Sequence, residues 1–208
     1  MATPFLHGVY LLLDEQWSSQ VSLVEIVETA AKCGVRLFQY RNKTDSMLDC
    51  YQKGMPLRHA TADVDATFIV NDRCDLAIAL EADGVHLGQD DLPFDVARQI
   101  LGEKKIIGIS THRPEEVEAA TNEGADYIGF GPIFSTRTKA DHAPVVGITG
   151  LGQVRSLTTL PIFAIGGITV DSVPAIQQAG GNGVAVASVV YHSVNLEETL
   201  RELVKFFP

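Results

Sequence analysis

A short polar segment after the second apolar run of the chain combines an amide with two cations. Alternate positions of a strand face the same side, so Gln39, Arg41 and Lys43 point together. Tyr40 and Asn42, which lie between them, point to the opposite side. An amide and two cations that converge suit an anionic ligand such as pyrophosphate. Taken alone, the segment is equally compatible with a solvated strand end.

Carboxylates follow the next two apolar runs. Asn71 and Asp72 follow one run, and Asp90 and Asp91 follow the run after it. Carboxylates that end neighbouring strands can share a hard cation, with phosphate oxygens and water completing the shell, and Mg²⁺ is the natural candidate. Asn71 or Asp72 could instead cap the following helix. Spacing alone does not choose between Asp90 and Asp91.

Hydroxyls, cations and glycines follow the later runs. Ser110 could donate to a substrate, although capping of the next helix is the simpler interpretation. The long segment that contains Arg137 and Lys139 suits phosphate binding or a lid. The pair Gly166-Gly167 lets a ligand approach the backbone. With the turn at Ser188, it matches the phosphate site that barrels form after strands seven and eight.

Eight apolar runs, in alternation with eight amphipathic segments, must position these residues. Such alternation predicts parallel strands with crossover helices, and eight units favour a closed (β/α)8 TIM barrel over an open doubly wound sheet. No linker interrupts the pattern, so 1–208 is predicted to be a single domain with short loops. The predicted strands are Gly8–Leu13, Val35–Tyr40, Thr67–Val70, Gly84–Leu87, Lys105–Ile109, Asp126–Gly129, Pro161–Ile165 and Gly183–Val186.

Two details of this prediction depend on single residues. In the segment 44–60, Gly54 and Pro56 are expected to break or kink the helix. His86 lies inside the fourth strand between two apolar residues, so we interpret it as a hydrogen-bonded interior histidine rather than a general base. The role of His112, which precedes a helix, is left open.

Composition narrows the class of protein. The 208 residues include 26 acidic and 16 basic side chains, and the formal net charge of −10 argues against nucleic-acid or anionic membrane partners. Cys33, Cys50 and Cys74 lack metal or CxxC spacing and are interpreted as reduced thiols. With no signal peptide and no apolar run of roughly 18 residues, we expect a soluble cytoplasmic protein. A homodimer is allowed, but no surface stripe argues for one.

Together these segments resemble the thiamine phosphate synthase (thiamine-phosphate pyrophosphorylase) family from about Tyr10 to Ser188. The resemblance selects Asp91 over Asp90. Two positions depart from the family pattern, Asn42 in place of glutamate and Leu13-Asp14 in place of the usual Thr-Asp. The matching segments are Gln39-Tyr-Arg-Asn-Lys43, Asn71-Asp-Arg73, Gly84-Val-His-Leu-Gly-Gln-Asp-Asp91, Gly108-Ile-Ser-Thr-His112, Gly129-Phe-Gly-Pro-Ile-Phe134, Thr136-Arg-Thr-Lys139, Ala164-Ile-Gly-Gly-Ile168 and Gly183-Val-Ala-Val-Ala-Ser188.

The resemblance implies a Mg²⁺-dependent transferase that joins 4-amino-2-methyl-5-pyrimidinylmethyl diphosphate to 4-methyl-5-(2-phosphoethyl)thiazole, releasing thiamine phosphate and pyrophosphate. It also implies a dissociative path through a pyrimidinylmethyl cation, which needs no general base. The implied metal ligands are Asp72 and Asp91. The pyrimidine diphosphate would contact Gln39, Arg41, Lys43, Asn71, Ser110 and Lys139, of which Arg41, Lys43, Ser110 and Lys139 are the predicted catalytic residues. The thiazole phosphate would contact Thr136, Arg137, Thr138, Gly167, Ala187 and Ser188.

Three alternatives stay open on the sequence. A thiazole tautomerase of the same fold needs no pyrophosphate or Mg²⁺ site, so retention of the cations and aspartates speaks against it. A non-catalytic barrel that binds a phosphorylated metabolite as a sensor would have the same pocket but no turnover. Another phosphosugar barrel enzyme would explain the loops after strands seven and eight, but not Gln39, Arg41 and Lys43.

Overall fold

Eight parallel strands close into a barrel in chain order, with β8 paired to β1. The computed structural model describes residues 6–17, 21–136 and 144–207. The predicted closed (β/α)8 barrel is therefore confirmed. The strands are β1 (Gly8–Asp14), β2 (Leu37–Arg41), β3 (Thr67–Asn71), β4 (Gly84–Leu87), β5 (Ile106–Thr111), β6 (Tyr127–Phe130), β7 (Ile162–Ile165) and β8 (Gly183–Val186).

The described part of the chain contains nine α-helices, one more than the eight helical segments that the sequence predicts. The additional helix is the short α8, which comes between β8 and the last amphipathic segment. Over these residues, no helix combines the length and the apolar character needed to cross a membrane. The helices are α1 (Leu23–Lys32), α2 (Met47–Ala62), α3 (Cys74–Ala79), α4 (Phe94–Leu101), α5 (Pro114–Glu123), α6 (Gly147–Arg155), α7 (Val173–Gln178), α8 (Ser188–Tyr191) and α9 (Leu196–Val204).

Helix α2 runs without interruption through Gly54 and Pro56, so of the expected break or kink the break is wrong. Pro56 lies on the exposed face, where water can satisfy the carbonyl that loses its partner in the helix. Gly54 is buried, and a Cβ there would lie 2.6 Å from Leu80 Cδ1 and 3.2 Å from Tyr40 Cε1. The glycine therefore allows α2 to approach the barrel closely, and burial of its inner face stabilises the helix.

Apolar side chains form one core inside the barrel and a second between the barrel and its helices. Along β2, Phe38 and Tyr40 belong to the outer core, whereas Leu37 belongs to the inner one. This alternation turns Gln39 and Arg41 inward, toward the carboxyl ends of the strands. The three cysteines are buried and free, as expected. The inner core consists of Tyr10, Leu37, Ile69, Ile106, Tyr127, Phe163 and Ala185.

Candidate active site

Two adjoining cavities occupy the carboxyl ends of the strands, the face on which barrel enzymes place their active sites. The larger cavity has a volume of about 400 Å³ and the smaller one about 140 Å³. They have a common wall, so ligands in the two cavities would lie side by side. The wall is formed by Leu12, Arg41, Ser110, His112, Ile165 and Ala185.

The larger cavity contains the polar segment at the end of β2. Gln39, Arg41 and Lys43 all line it, as strand alternation predicts. Asn42 points away and donates its amide to Tyr40 Oη at 3.2 Å and to Asp45 Oδ2 at 2.8 Å. The first departure from the family pattern, Asn42, therefore lies outside the residues that line the cavities. Asn71, Asp72, Asp91 and Ser110 complete the predicted residues on the wall of this cavity.

Both cations of the β2 segment are held in place by carboxylates. Arg41 forms an ion pair with Asp14, which lies opposite it in the register of β1 and β2. Asp14 is 3% exposed, and it also accepts a hydrogen bond from the backbone of Gln16 at 3.0 Å. Lys43 is half-exposed and forms an ion pair with Asp72. The guanidinium and the ammonium are thus positioned at the mouth of the barrel, where they can bind an anion.

Asp72 and Asp91 bring two carboxylates together at the edge of the larger cavity. Burial of Asp72 and the neighbouring Asp91 carboxylate raise the pKa of Asp72, against the opposing effect of Lys43. Asp72 has a left-handed backbone with φ of 62°, and Asp91 Oδ2 accepts from Gly88 N at 2.6 Å. Asp90 is exposed.

This pair fits a hard divalent cation in the chemistry of its donors. Both are carboxylates, and a cation between them would offset their mutual repulsion. Among the residues that the structure describes, no group of three His, Cys, Asp or Glu side chains could hold a metal. Of the described residues, Asp72 and Asp91 would be the carboxylate ligands, with phosphate oxygens and water among the other ligands.

The alternative interpretations in which these polar residues cap helices are wrong. Helix α3 begins at Cys74 with Arg73 in the N-cap position, so neither Asn71 nor Asp72 caps it. Helix α5 likewise has Arg113 in the N-cap position, so Ser110 does not cap it. Ser110 instead forms a 2.8 Å hydrogen bond with Nε2 of His86, which leaves its side chain on the cavity wall.

The smaller cavity lies at the loops after β6, β7 and β8. Its walls include Thr136, Gly167, Ala187 and Ser188, four of the six residues assigned to the thiazole phosphate. Gly167 has φ of 63°, and a Cβ there would lie 2.5 Å from the carbonyl oxygen of Ser135. Glycine is thus required for the loop after β7 to pack against the loop after β6. Arg137, Thr138 and Lys139 lie outside the described residues.

The interpretation of His86 as a hydrogen-bonded interior residue is confirmed. His86 is buried, and its two ring nitrogens lie 3.1 Å from Tyr127 Oη and 2.8 Å from Ser110 Oγ. His112, whose role was left open, lies on the wall common to both cavities. Its Nδ1 is 2.5 Å from Gly131 O, and its backbone N–H donates to Glu116 at 2.7 Å.

Sequence reasoning missed the role of Asp14 beside Arg41. Its position was the available signal, because Asp14 ends β1 just as Asp72 follows β3. The preceding residue, Leu13, is fully buried in the outer core. The second departure from the family pattern therefore changes a side chain that packs between the barrel and its helices and lines neither cavity. Asp14 itself is retained.

Comparison with known proteins identifies the family of the chain. A family model described as thiamine monophosphate synthase matches residues 9–190. The chain is 39% identical over 197 residues to a thiamine-phosphate synthase of Syntrophomonas wolfei, covering 95% of this chain and 94% of that protein. It is 42% identical over 199 residues to one of Natronomonas pharaonis, covering 94% and 92%.

A solved structure gives the same result. The thiamine phosphate pyrophosphorylase of Pyrococcus furiosus superposes with a TM-score of 0.86 at 35% identity, covering 96% of this chain and 94% of that one. The residues that the family model matches run from Val9 in β1 to beyond the end of β8. The chain belongs to the thiamine monophosphate synthase family.

Proposed function

We propose that this chain joins 4-amino-2-methyl-5-pyrimidinylmethyl diphosphate to 4-methyl-5-(2-phosphoethyl)thiazole, giving thiamine phosphate and pyrophosphate. The names of its relatives point to this reaction. The observation that carries it is that the residues assigned to the two substrates, as far as the structure describes them, line two cavities with a common wall. Two ligands held side by side react as if at high local concentration.

The larger cavity is proposed to hold the pyrimidine diphosphate. Arg41 and Lys43 would bind the diphosphate, because both cations lie at its mouth and each has N–H donors beyond the one that it gives to its carboxylate partner. Gln39, Asn71 and Ser110 would provide neutral hydrogen-bonding groups for the rest of the substrate. Lys139 is proposed to add a third cation.

Asp72 and Asp91 are the residues that would hold Mg²⁺. Their carboxylates are hard oxygen donors close to each other and to the proposed diphosphate, which is the donor set that this ion prefers. When bound, the ion would neutralise charge on the diphosphate and make it a better leaving group. Lys43, now paired with Asp72, would then be available to the diphosphate oxygens.

The smaller cavity is proposed to hold the thiazole phosphate. Gly167, Ala187 and Ser188 line it, and glycine allows a phosphate to come close to the chain. Thr136, Arg137 and Thr138 are proposed to complete the phosphate contacts. The thiazole ring would then face the common wall, near the carbon that reacts.

The reaction requires stabilisation of a leaving group more than it requires a base. The bond between the methylene carbon and the diphosphate oxygen breaks, and its electron pair leaves with pyrophosphate. The thiazole nitrogen then gives its lone pair to the carbon and forms the new C–N bond. Arg41 and Lys43 stabilise the charge that develops on pyrophosphate. Leu12, Ile165 and Ala185 form the apolar half of the common wall, which would limit the access of water to the cation.

A turnover assay tests the proposal. Purified protein is mixed with both substrates, with and without Mg²⁺, and thiamine phosphate and pyrophosphate are quantified. We expect equal amounts of the two products, formed only when Mg²⁺ is present. Isomerisation of the thiazole alone would favour the tautomerase, and binding without turnover would favour the sensor. The homodimer and the cytoplasmic location stay predictions.

A further inference from the structure

A chain of hydrogen bonds crosses the inside of the barrel beneath the larger cavity. Gln39 Nε2 lies 2.7 Å from Tyr10 Oη, and Tyr10 Oη lies 2.7 Å from Tyr127 Oη. Tyr127 Oη is 3.1 Å from His86 Nδ1, and His86 Nε2 is 2.8 Å from Ser110 Oγ. This hydrogen-bond chain therefore connects two residues of the proposed substrate site, Gln39 on β2 and Ser110 on β5, through three residues without an assigned role.

The members of this chain are buried in the inner core. Tyr10 and Tyr127 are at most 1% exposed, and His86 is 7% exposed. Burial raises the pKa of both tyrosine hydroxyls, so each keeps its single proton. Each hydroxyl can thus donate once, and a neutral imidazole donates from one nitrogen and accepts at the other.

These limits make the direction of every bond depend on the others. If Gln39 donates from its amide to Tyr10, then Tyr10 donates to Tyr127 and Tyr127 donates to Nδ1 of His86. The histidine then carries its proton on Nε2 and donates to Ser110. Under this polarity the Gln39 carbonyl and the Ser110 proton are left for a ligand. The opposite polarity leaves an amide donor on Gln39 and an acceptor on Ser110.

We propose that Tyr10, Tyr127 and His86 are positioning residues that couple the hydrogen-bonding direction of Gln39 to that of Ser110. The polarity in which Gln39 donates to Tyr10 suits the substrate proposed above, on which this inference rests. The Gln39 carbonyl can accept from the 4-amino group of the pyrimidine, and the Ser110 hydroxyl can donate to an acceptor on the same substrate. The hydrogen-bond chain thus sets the preference of the larger cavity for an aminopyrimidine.

The test combines ¹⁵N NMR of the histidine ring with kinetics of Tyr10→Phe and Tyr127→Phe. The wild-type protein is expected to show His86 protonated on Nε2 alone, and Tyr127→Phe is expected to add the Nδ1-protonated form. Either variant should raise KM for the pyrimidine diphosphate roughly three- to tenfold, the effect of one neutral hydrogen bond, and leave KM for the thiazole phosphate unchanged. KM of the double variant for the pyrimidine diphosphate should be no higher than the higher of the two single-variant values, because either substitution alone already interrupts the hydrogen-bond chain.

Tyr40→Phe is the matched control, since it removes a tyrosine hydroxyl from the outer core next to Gln39. It should leave both KM values and the His86 signals as in the wild type. His86 protonated on Nδ1 or on both nitrogens, or Tyr127→Phe kinetics equal to those of Tyr40→Phe, would overturn the inference. The NMR result stands apart from turnover. A wild-type protein that forms no thiamine phosphate would refute the proposed function, whereas the ring signals would still decide the polarity.

Discussion

Replacement of Asp14 by Asn tests whether the buried ion pair at the end of β1 holds Arg41. The side chains of Arg41 and Asp14 are only 13% and 4% exposed. Loss of one partner of a buried pair costs about 3–5 kcal/mol. Asn keeps the shape and can still accept from the backbone of Gln16, so we expect the lower end, about 3 kcal/mol. In a domain of this size that lowers the unfolding temperature by roughly 6–12 °C.

Binding of pyrophosphate distinguishes loss of the Asp14–Arg41 ion pair from a general loss of packing. In Asp14→Asn the Arg41 guanidinium has lost its carboxylate, so a bound anion supplies the missing charge. Pyrophosphate should therefore raise the unfolding temperature of the variant more than that of the wild type, as followed by circular dichroism. Glu197→Gln is the control, because its pair with Arg201 on α9 is exposed and contributes little. Equal unfolding temperatures of the two variants, or equal stabilisation by pyrophosphate, would refute the reasoning.

Four further substitutions follow from the two cavities and the helix packing. Asp72→Ala and Asp91→Ala should each reduce turnover by roughly a thousandfold or more, because charge on the leaving group is no longer neutralised. Calorimetry should find thiazole phosphate binding nearly intact, and normal turnover of either variant would exclude a common metal. Gly167→Ala, at φ of 63°, should raise KM for the thiazole phosphate about tenfold, with KM for the pyrimidine diphosphate as the internal control. Gly54→Ala should lower the free energy of unfolding in urea by up to about 2 kcal/mol, because overlap of its Cβ with the buried Leu80 costs about 1–3 kcal/mol and the helix propensity of alanine returns about 1 kcal/mol; a net stabilisation would contradict the packing.

The features that the sequence predicted well depend on short-range periodicity. Alternation along β2 places Gln39, Arg41 and Lys43 on one side and Asn42 on the other, and the period of a strand is enough to deduce it. The barrel follows in the same way from the alternation of strands and helices. The family resemblance then chose Asp91 where spacing could not.

The features that could not be predicted from the sequence depend on contacts between distant parts of the chain. The Asp14–Arg41 pair needs the register of β1 against β2, which no local pattern contains. The continuity of α2 depends on space beside Gly54, which is set by Leu80 on a different unit. The capping interpretation of Ser110 failed for the same reason, since its partner His86 lies on the neighbouring strand.

A crystal structure with thiamine phosphate and pyrophosphate bound tests the two-cavity arrangement most directly. We expect pyrophosphate beside Arg41 and Lys43 in the larger cavity, with a metal ion between Asp72 and Asp91. The phosphate of thiamine phosphate should lie against Gly167 in the smaller cavity, and its two rings should meet at the common wall. Both phosphate groups in one cavity, or pyrophosphate away from the two cations, would contradict the proposed reaction site.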